Sequence, residues 1–496
     1  MKKIFKSIVL IALLLNFSCA EDYLDTIPTD AVSGSSVFTS TQNAMTALNG
    51  IHRMLLLRFD SQGQAAEGGV MIMRDVMGDD VVMTTQGNGW YVSISRWQNH
   101  TLQTSGDARF IWRYYYRVIG NANMILAGID DAEGPQLEKD EIKGQALAYR
   151  AWAHFNLVQM FAIRYDAAGG NSQMGVPIVL EPITEGGARN TVEEVYTQIN
   201  TDLDAAIALL DESRNAKSHL NINVVKGIKA RVAATQGNYS LAATMANEAR
   251  DGFTLMSQSA LYEGFNNVDN EEWMWGSHQV DDQQTYFASF FAYMSLNFSS
   301  TNIRGNPKAI NSKLYDMIPD TDARKGLWDP NASDPDLRDP FIDEMTLSSF
   351  AKIDYMNRKF LAQGNASSVG DVPYMRTAEM ILLEAESLAR SGNDSDAADV
   401  LFELVSARDD AYTKSTNTGE ALIEEIMIQR RIELWGEGFR FYDLKRLNLP
   451  LDRTGSNHVE SVINGKFTEP AGTNNWQWQI PLDELNANEN MIQNPS

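Results

Sequence analysis

The stretch VVKGIKARVAATQGNYSLAATMANEAR, residues 224–250, has the pattern of two short helices joined by a tight turn. Gly237 and Asn238 interrupt the pattern, and both residue types adopt the left-handed backbone geometry that ends a helix. Ser240 is placed to cap the second helix. Small side chains on both helices would let the backbones approach closely: Ala230, Ala234, Ala242 and Ala246. The stretch therefore predicts a closely packed helical pair.

A second stretch repeats this design at residues 373–409, PYMRTAEMILLEAESLARSGNDSDAADVLFELVSARD. Gly392 and Asn393 occupy the position of the turn. Both stretches resemble tetratricopeptide units, in which one helix–turn–helix packs on the next. Because the two stretches are widely separated in the chain, a scaffold with long insertions fits better than a plain tandem array.

Helical periodicity extends beyond these pairs. EIKGQALAYRAWAHFNLVQMFAIRY (141–165) carries apolar residues at spacings of three and four. NTVEEVYTQINTDLDAAIALL (190–210) opens with Thr191 and Glu194, which have the spacing of a capping box. We expect a predominantly α protein.

Two insertions, at about residues 60–105 and 253–372, are instead rich in Gly, Asn, Ser, Asp and aromatic residues and have weak periodicity. Loops of this length inside a folded protein are usually functional. We therefore predict one domain, residues 19–496, in which a tetratricopeptide-like helical scaffold carries a long-loop, irregular ligand-binding lobe.

Residues 1–18 have the pattern of a secretion signal, with basic residues before an apolar run that is too short to span a bilayer. The only cysteine of the chain, Cys19, follows directly. The sequence Asn-Phe-Ser-Cys resembles a lipobox, which is cleaved before a cysteine that is then lipidated, although Leu or Val usually stands where Asn16 stands. The alternative is a soluble secreted protein with one chance thiol, but lipidation explains both the presence and the isolation of Cys19. Glu21 and Asp22 resemble the acidic surface-export signal of Bacteroidetes lipoproteins.

The formal net charge of −24 disfavours nucleic acid as a partner, because nucleic-acid binding requires basic patches. The six histidines show no paired metal-ligand spacing, and neither G-x-S-x-G nor a P-loop is present. Asp79 and Asp80 are weak candidates for calcium, since the EF-hand spacing is absent and a loop hydrogen-bonding role explains them better. We expect no metal and no other cofactor.

The segment QRRIELWGEGFRFYDLKRLN (429–448), called the signature segment below, resembles the signature of the SusD/RagB family. WQIPLDELNANENMIQNP (478–495) resembles the same family's closing segment, and internal blocks match in order: RNTVEEVYTQINTDLDAAIALL, RTAEMILLEAESLAR and VIGNANMIL. Gln429 departs from the pattern, in which Glu is frequent.

The resemblance implies a lipoprotein of the Bacteroidetes outer membrane, lipid-anchored and surface-exposed. Such proteins sit as a lid on a SusC-like TonB-dependent β-barrel transporter and capture glycans or, in some members, peptides. It also implies that the chain is not an enzyme. A surface glycoside hydrolase and a scaffold that binds only proteins are the competing hypotheses.

The charges of the signature segment alternate in sign at near-helical spacing: Arg431, Glu433, Glu437, Arg440, Asp443 and Arg446. A half-buried ion network that fixes the last helices explains this pattern better than acid–base chemistry. The abundant arginines would keep the acids ionised, whereas a general acid needs a raised pKa.

Candidate ligand-binding residues lie in GDDVVMTTQGNGWYVSISRWQN (78–99). Sugars present apolar faces and hydroxyl groups, so a binding site needs exposed aromatic rings beside polar side chains. We predict ligand contacts by the residues of this type around the glycine-rich tip: Asn88, Trp90, Tyr91, Arg96 and Trp97. A core role for the three aromatic residues is the alternative.

A further candidate, Tyr286, belongs to DDQQTYFASFFAYMSLN (281–297). The spacing of its aromatic residues favours an amphipathic helix that packs inward, with Tyr286 at the edge of the pocket. EEWMWGSHQ (271–279) predicts a strand, and WRYYYRV (112–118) predicts a buried helix.

Overall fold

The computed structural model describes residues 38–182, 185–280, 285–344 and 352–496. The predicted signal peptide and Cys19 lie outside these residues. In the first half of the chain the helices are α1 (Thr41–Met54), α2 (Ala66–Met77), α3 (Val92–Ser95), α4 (Gly106–Gly128), α5 (Gln136–Phe161), α6 (Val192–Leu209), α7 (Ile222–Thr235) and α8 (Tyr239–Ala249). The later helices are α9 (Phe291–Met294), α10 (Thr301–Arg304), α11 (Ser312–Asp316), α12 (Pro340–Asp343), α13 (Thr377–Arg390), α14 (Asp394–Arg408), α15 (Glu420–Glu433), α16 (Arg440–Arg446), α17 (Glu460–Ile463) and α18 (Leu482–Ala487).

Both predicted helical pairs are confirmed. Helix α7 packs on α8, and α13 packs on α14. Gly237 and Gly392 adopt φ values of 73° and 80° in the two turns, a left-handed geometry that glycine adopts without steric cost. The predicted cap is wrong by two residues, because the Asn238 side chain accepts from the Leu241 backbone N–H whereas Ser240 lies inside α8.

Successive long helices form the scaffold. Helices α4, α5, α6, α7 and α8 each pack on the next one, and α8 continues the stack onto α13, which also contacts α15. The capping box of α6 is present, with Thr191 and Glu194 as predicted. The aromatic residues of α4 are buried as predicted, including Trp112, Tyr114 and Tyr115. The fold is predominantly α, in agreement with the prediction.

Helix α2 lies within residues 60–105, which were predicted to be a loop-rich insertion. All twelve of its residues are buried. Gly68 and Gly69 allow its close contact with other segments, since a Cβ at Gly68 would lie 3.0 Å from Cβ of Phe290. The charged residues of this helix find partners inside the protein, since Arg74 pairs with Glu67 and the Gly438 backbone N–H donates to Asp75.

The described part of residues 253–372 is irregular, as predicted, and contains short helices and strands. The strands among the described residues are β1 (Val81–Met83), β2 (Trp273–Gly276), β3 (Lys308–Ile310), β4 (Trp328–Asp329), β5 (Met356–Asn357), β6 (Pro373–Arg376), β7 (Leu451–Asp452) and β8 (Thr468–Glu469). One antiparallel sheet has the order β1-β3-β5-β4, with Val82 opposite Ala309 and Ala309 opposite Met356. Strand β2, predicted from sequence, pairs with β6. We call residues 78–105 together with the described part of 253–372 the irregular lobe.

The long amphipathic helix predicted for residues 281–297 is not found in its described part, where only α9 is helical. Phe290 and Tyr293 are buried, while Tyr286 and Phe287 remain exposed. No helix in the described ranges is both long and apolar enough to span a bilayer.

Candidate functional site

The signature segment forms the predicted ion network, and it is more deeply buried than expected. The Glu433 carboxylate accepts from Arg376 Nη1 at 3.0 Å and from Arg408 Nη2 at 3.2 Å. The Glu437 carboxylate accepts from Arg376 Nη2 and from Lys359 Nζ, each at 2.6 Å. These cations lie outside the signature segment, so the network joins the last helices to β6, α14 and the irregular lobe.

This network keeps its acids ionised. Burial alone would raise the pKa of Glu433, but Arg408, Arg376 and Arg324 hold it well below its usual range. In the same way, burial of Asp443 is outweighed by Arg430 and Arg446, which lower its pKa to about 2. Neither carboxyl group can serve as a general acid near neutral pH, because a general acid must hold its proton there.

Two arginines of the signature segment anchor the loop that leads into β1. Arg440 Nε donates to Asp79 at 2.6 Å, and Arg431 Nη2 donates to Asp80 at 2.6 Å. Trp435 Nε1 also donates to the Asp80 carbonyl oxygen at 2.9 Å. Both carboxylates are thus engaged by guanidinium groups, in agreement with the predicted hydrogen-bonding role.

The glycine-rich tip that follows β1, residues 84–90, packs on residues 302–307. The Thr84 hydroxyl donates to the Pro307 carbonyl oxygen at 2.7 Å, and the Asn88 amide donates to Oδ1 of Asn302 at 3.3 Å. Gly87 has a φ of 46°, and a Cβ there would lie 2.7 Å from the carbonyl oxygen of Gly305. Only glycine fits this turn without a shift of the neighbouring backbone, so the position of the tip is well defined.

Trp90 is half-buried at the base of this tip. Its indole packs on Gly63, where a Cβ would lie 3.0 Å from Cε3 of Trp90. Its ring centroid lies 6.3 Å from that of Tyr293 in an edge-to-face arrangement. The glycine below and the tyrosine beside the ring fix its orientation while part of it stays accessible.

The structure places the next two predicted aromatic contacts in the core. Tyr91 is 6% exposed, and its hydroxyl donates to the Gly63 carbonyl oxygen at 2.7 Å. Trp97 is 5% exposed, donates to the Met77 carbonyl oxygen and packs edge-on against Trp476. The prediction of exposed platforms at Tyr91 and Trp97 is therefore wrong, because tertiary packing covers both rings.

Arg96 also turns away from the tip. Its Nε donates to the Val462 carbonyl oxygen at 2.7 Å, which ties α3 to α17. The guanidinium group joins two helices in this structure, and the ligand contact by Arg96 stays a prediction.

Tyr286 and the adjacent Phe287 are exposed by 59% and 47%. The Phe287 ring lies 5.9 Å from that of Phe298, and the Tyr286 carbonyl oxygen accepts from the Ser368 hydroxyl. Two consecutive exposed aromatic residues are uncommon on a folded surface. Tyr293, later in the same segment, contacts Trp90. We use the name aromatic surface for the set of three accessible rings on this segment and on the tip that packs against it: Trp90, Tyr286 and Phe287.

The aromatic surface can stack on flat apolar groups, and the Gln86 and Asn88 side chains at the tip can form hydrogen bonds beside it. Of the predicted residues it contains Trp90 and Tyr286, with Asn88 at its edge. Phe287 was assigned from sequence to an inward-facing helix, and its exposure could not be read from the aromatic spacing alone. Within the residues that are described, no cluster of three or more His, Cys, Asp or Glu side chains is arranged to hold a metal ion.

Two family models match the chain. The model described as "Starch-binding associating with outer membrane" matches residues 33–233, and the model described as "SusD family" matches residues 348–496. Together they contain the second tetratricopeptide-like pair, the signature segment and the closing segment, whereas the first pair extends beyond residue 233. The chain belongs to the SusD/RagB family.

Relatives of this SusD/RagB protein match it over nearly the whole length. The SusD-like protein P2 of Formosa agariphila is 24% identical, with 100% of this chain and 99% of that protein aligned. A crystal structure of a SusD-like carbohydrate binding protein from Bacteroides vulgatus is 28% identical and has a TM-score of 0.79, covering 92% of this chain and 98% of that one. The surface glycan-binding protein A of Bacteroides fluxus shares the fold at 20% identity, with a TM-score of 0.70 and coverage of 92% and 99%.

The SusD/RagB family consists of binding proteins rather than enzymes. Its signature has a structural role here, because it anchors the aspartates that precede β1. Gln429, the departure from the family pattern, accepts from Arg324 Nη2 at 2.5 Å. The neutral amide thus keeps the acceptor that a carboxylate would supply.

Proposed function

We propose that this protein captures oligosaccharides at the cell surface and passes them to a SusC-like TonB-dependent β-barrel transporter in the outer membrane. The observation that carries the proposal is the aromatic surface, in which Trp90 is held rigidly and Tyr286 and Phe287 are exposed. Aromatic rings stack on the apolar faces of sugars at low entropic cost, because each ring has only two side-chain torsions. Family membership supports the same function.

The proposed location is the outer membrane, with the mature protein tethered through a lipid on Cys19. Two or three acyl chains hold a protein firmly, whereas one chain alone anchors it marginally. Tethering would restrict the protein to the membrane plane and raise its effective concentration over the transporter. Ligand would then be enclosed between the aromatic surface and the barrel.

Isothermal titration of the purified protein against plant, host and microbial glycans, together with mixed peptides, tests the ligand class. We expect micromolar or weaker binding to one class of glycan and no hydrolysis. Trp90→Ala should weaken binding by at least ~10-fold, equivalent to about 1.4 kcal/mol. Phe402→Ala is the matched control, because Phe402 is a comparably exposed ring on α14 of the scaffold and should leave affinity unchanged.

The outcomes separate the alternatives. Binding of peptides instead of glycans would keep the import function and change the ligand class. Glycan binding that Trp90→Ala leaves intact would contradict the assigned site. Co-purification with a barrel protein from outer membranes, lost in Cys19→Ala, would support the tethered complex, whereas a barrel complex without any small ligand would favour the scaffold hypothesis.

A further inference from the structure

A cavity lies inside the scaffold, bordered by α2, α5, α7 and the signature segment. Its volume is about 60 Å³, and it shares no lining residue with the aromatic surface. A water molecule takes up about 30 Å³ in the liquid, so the space holds two waters or one small ion. We call it the arginine cavity, because four arginines line it: Arg74, Arg231, Arg430 and Arg446.

Each of these arginines already pairs with a carboxylate. Arg74 Nη2 donates to Glu67 at 2.6 Å, and Arg430 Nε donates to Asp443 at 2.8 Å. Two donors remain. Nε of Arg74 and Nη1 of Arg430 are buried and find no acceptor among the described residues.

Aromatic rings hold these guanidinium groups in place. The Arg74 guanidinium lies 5.0 Å from the centroid of the Tyr442 ring. The Arg231 and Arg430 guanidinium groups each lie 5.2 Å from the centroid of the Phe439 ring. Arg74 and Arg430 are 7% and 4% exposed, so neither unpaired donor can turn out to bulk water.

A guanidinium group has donors only and stays protonated in proteins, so these positions require an acceptor. A buried donor without a partner costs about 1–3 kcal/mol, and more when it is charged. Charge-assisted hydrogen bonds to an anion are roughly twice as strong as neutral ones. The carboxylates that line the cavity, Glu67, Glu437 and Asp443, are each engaged by a cation of their own.

We propose that the arginine cavity binds one small monovalent anion of the size of chloride, held by Arg74 Nε and Arg430 Nη1. The site joins α2 to α15 and the segment that follows it, so the anion would stabilise the scaffold rather than contact the ligand. The proposal is independent of what the aromatic surface binds.

Thermal unfolding of the purified protein tests it, with chloride exchanged for gluconate at a fixed ionic strength of about 0.15 M, where charge screening is constant. Binding to the folded state alone predicts a Tm that rises with the logarithm of the chloride concentration once that concentration exceeds the Kd. Arg430→Gln should abolish this rise. Arg150→Gln should retain it, because Arg150 is equally buried and paired with Asp202 but does not line the cavity.

General salt effects on hydration act on all variants alike, so only the difference between Arg430→Gln and Arg150→Gln is diagnostic. A chloride response absent from the wild type, or preserved in Arg430→Gln, would overturn the proposal. If Arg430→Gln does not fold, a wild-type crystal soaked in bromide shows whether the cavity binds an anion. An anomalous peak between Arg74 and Arg430 supports the site, and a cavity without one overturns it.

Discussion

Glu433 offers the sharpest test at the scale of single residues. Its carboxylate accepts from Arg324, Arg376 and Arg408, and all four side chains are at most 1% exposed. Glu433→Gln keeps the shape but removes the charge that compensates three buried guanidinium groups. We expect a loss of about 3–5 kcal/mol in the free energy of unfolding, measured by urea denaturation, because breaking a buried ion pair leaves uncompensated charge.

Glu248→Gln is the matched control for this prediction. Glu248 pairs with Lys226 at 2.9 Å, but its side chain is 42% exposed. Exposed pairs contribute roughly 0–1 kcal/mol, so the control should change stability little. If Glu433→Gln cost no more than Glu248→Gln, the network would not be a source of stability.

The role of the signature segment was predictable, but its partners were not. Alternating charges between Arg431 and Arg446 indicate an ion network from local spacing alone. The principal partners of Glu433, at positions 324, 376 and 408, come from three distant segments, and such contacts leave no periodicity in the sequence. Trp90 and Trp97 show the same limit, because both have polar residues nearby in the sequence and only tertiary packing decides which ring is covered.

At the scale of elements, the tip after β1 depends on one glycine more than on the other. Gly87 and Gly89 both have positive φ values, 46° and 85°. A Cβ at Gly89 would meet nothing within 4 Å, whereas one at Gly87 would lie 2.7 Å from Gly305 O. Gly89→Ala should therefore cost only the backbone term of about 1 kcal/mol, and Gly87→Ala should cost more.

Amide hydrogen exchange measures this difference locally. The Gly89 N–H donates to the Gln86 carbonyl oxygen at 2.8 Å inside the tip. Gly87→Ala should speed exchange across residues 85–91 well beyond the effect of Gly89→Ala, because displacement of the tip opens this bond. Equal exchange in the two variants would show that the contact with Gly305 does not position Trp90.

Elements with clear end signals were the predictable ones. The pair α7–α8 and the capping box of α6 follow from periodicity and end signals. Helix α2 was missed because no side chain caps its start and Gly68 and Gly69 stand in its first turn, where glycine disfavours a helix. The aromatic run at 285–293 was misassigned because its rings divide between core and surface over a short, mostly non-helical segment.

At the scale of the whole molecule, the buried charges connect the scaffold to the irregular lobe. Lys359, from the irregular lobe, donates to Glu437, and Arg324 reaches Glu433 from the same lobe. The ion pairs of Asp79 and Asp80 with the signature segment extend the network to the loop before β1 and so to the tip that carries Trp90. Because the lobe has only short strands and helices of its own, these ion pairs, together with the apolar core that it shares with the scaffold, hold its loops in place.

Such a network predicts acid lability. The pKa of Asp443 is lowered to about 2, because its arginine partners outweigh burial, while in the unfolded chain this group binds a proton near pH 4. Between pH 4 and 2 the unfolded state therefore binds more protons, and stability falls as the pH falls, by about 2 kcal/mol for this group. Asp75 acts in the opposite direction, since burial raises its pKa to about 7 and its contribution is lost as the pH rises from 4 to 7.

Urea denaturation at fixed ionic strength from pH 2.5 to 7.5 measures both effects. Asp443→Asn should lower stability at pH 5 and flatten the decline below pH 4, because the variant carboxamide cannot titrate. Asp75→Asn should instead flatten the shallower decline between pH 4 and 7. Asp483→Asn, at an exposed carboxylate, should leave the profile unchanged. The contrary result is a stability that declines below pH 4 as steeply in Asp443→Asn as in the wild type. The protons would then be taken up outside the network, and loss of the ion pairs would not be the cause of unfolding in acid.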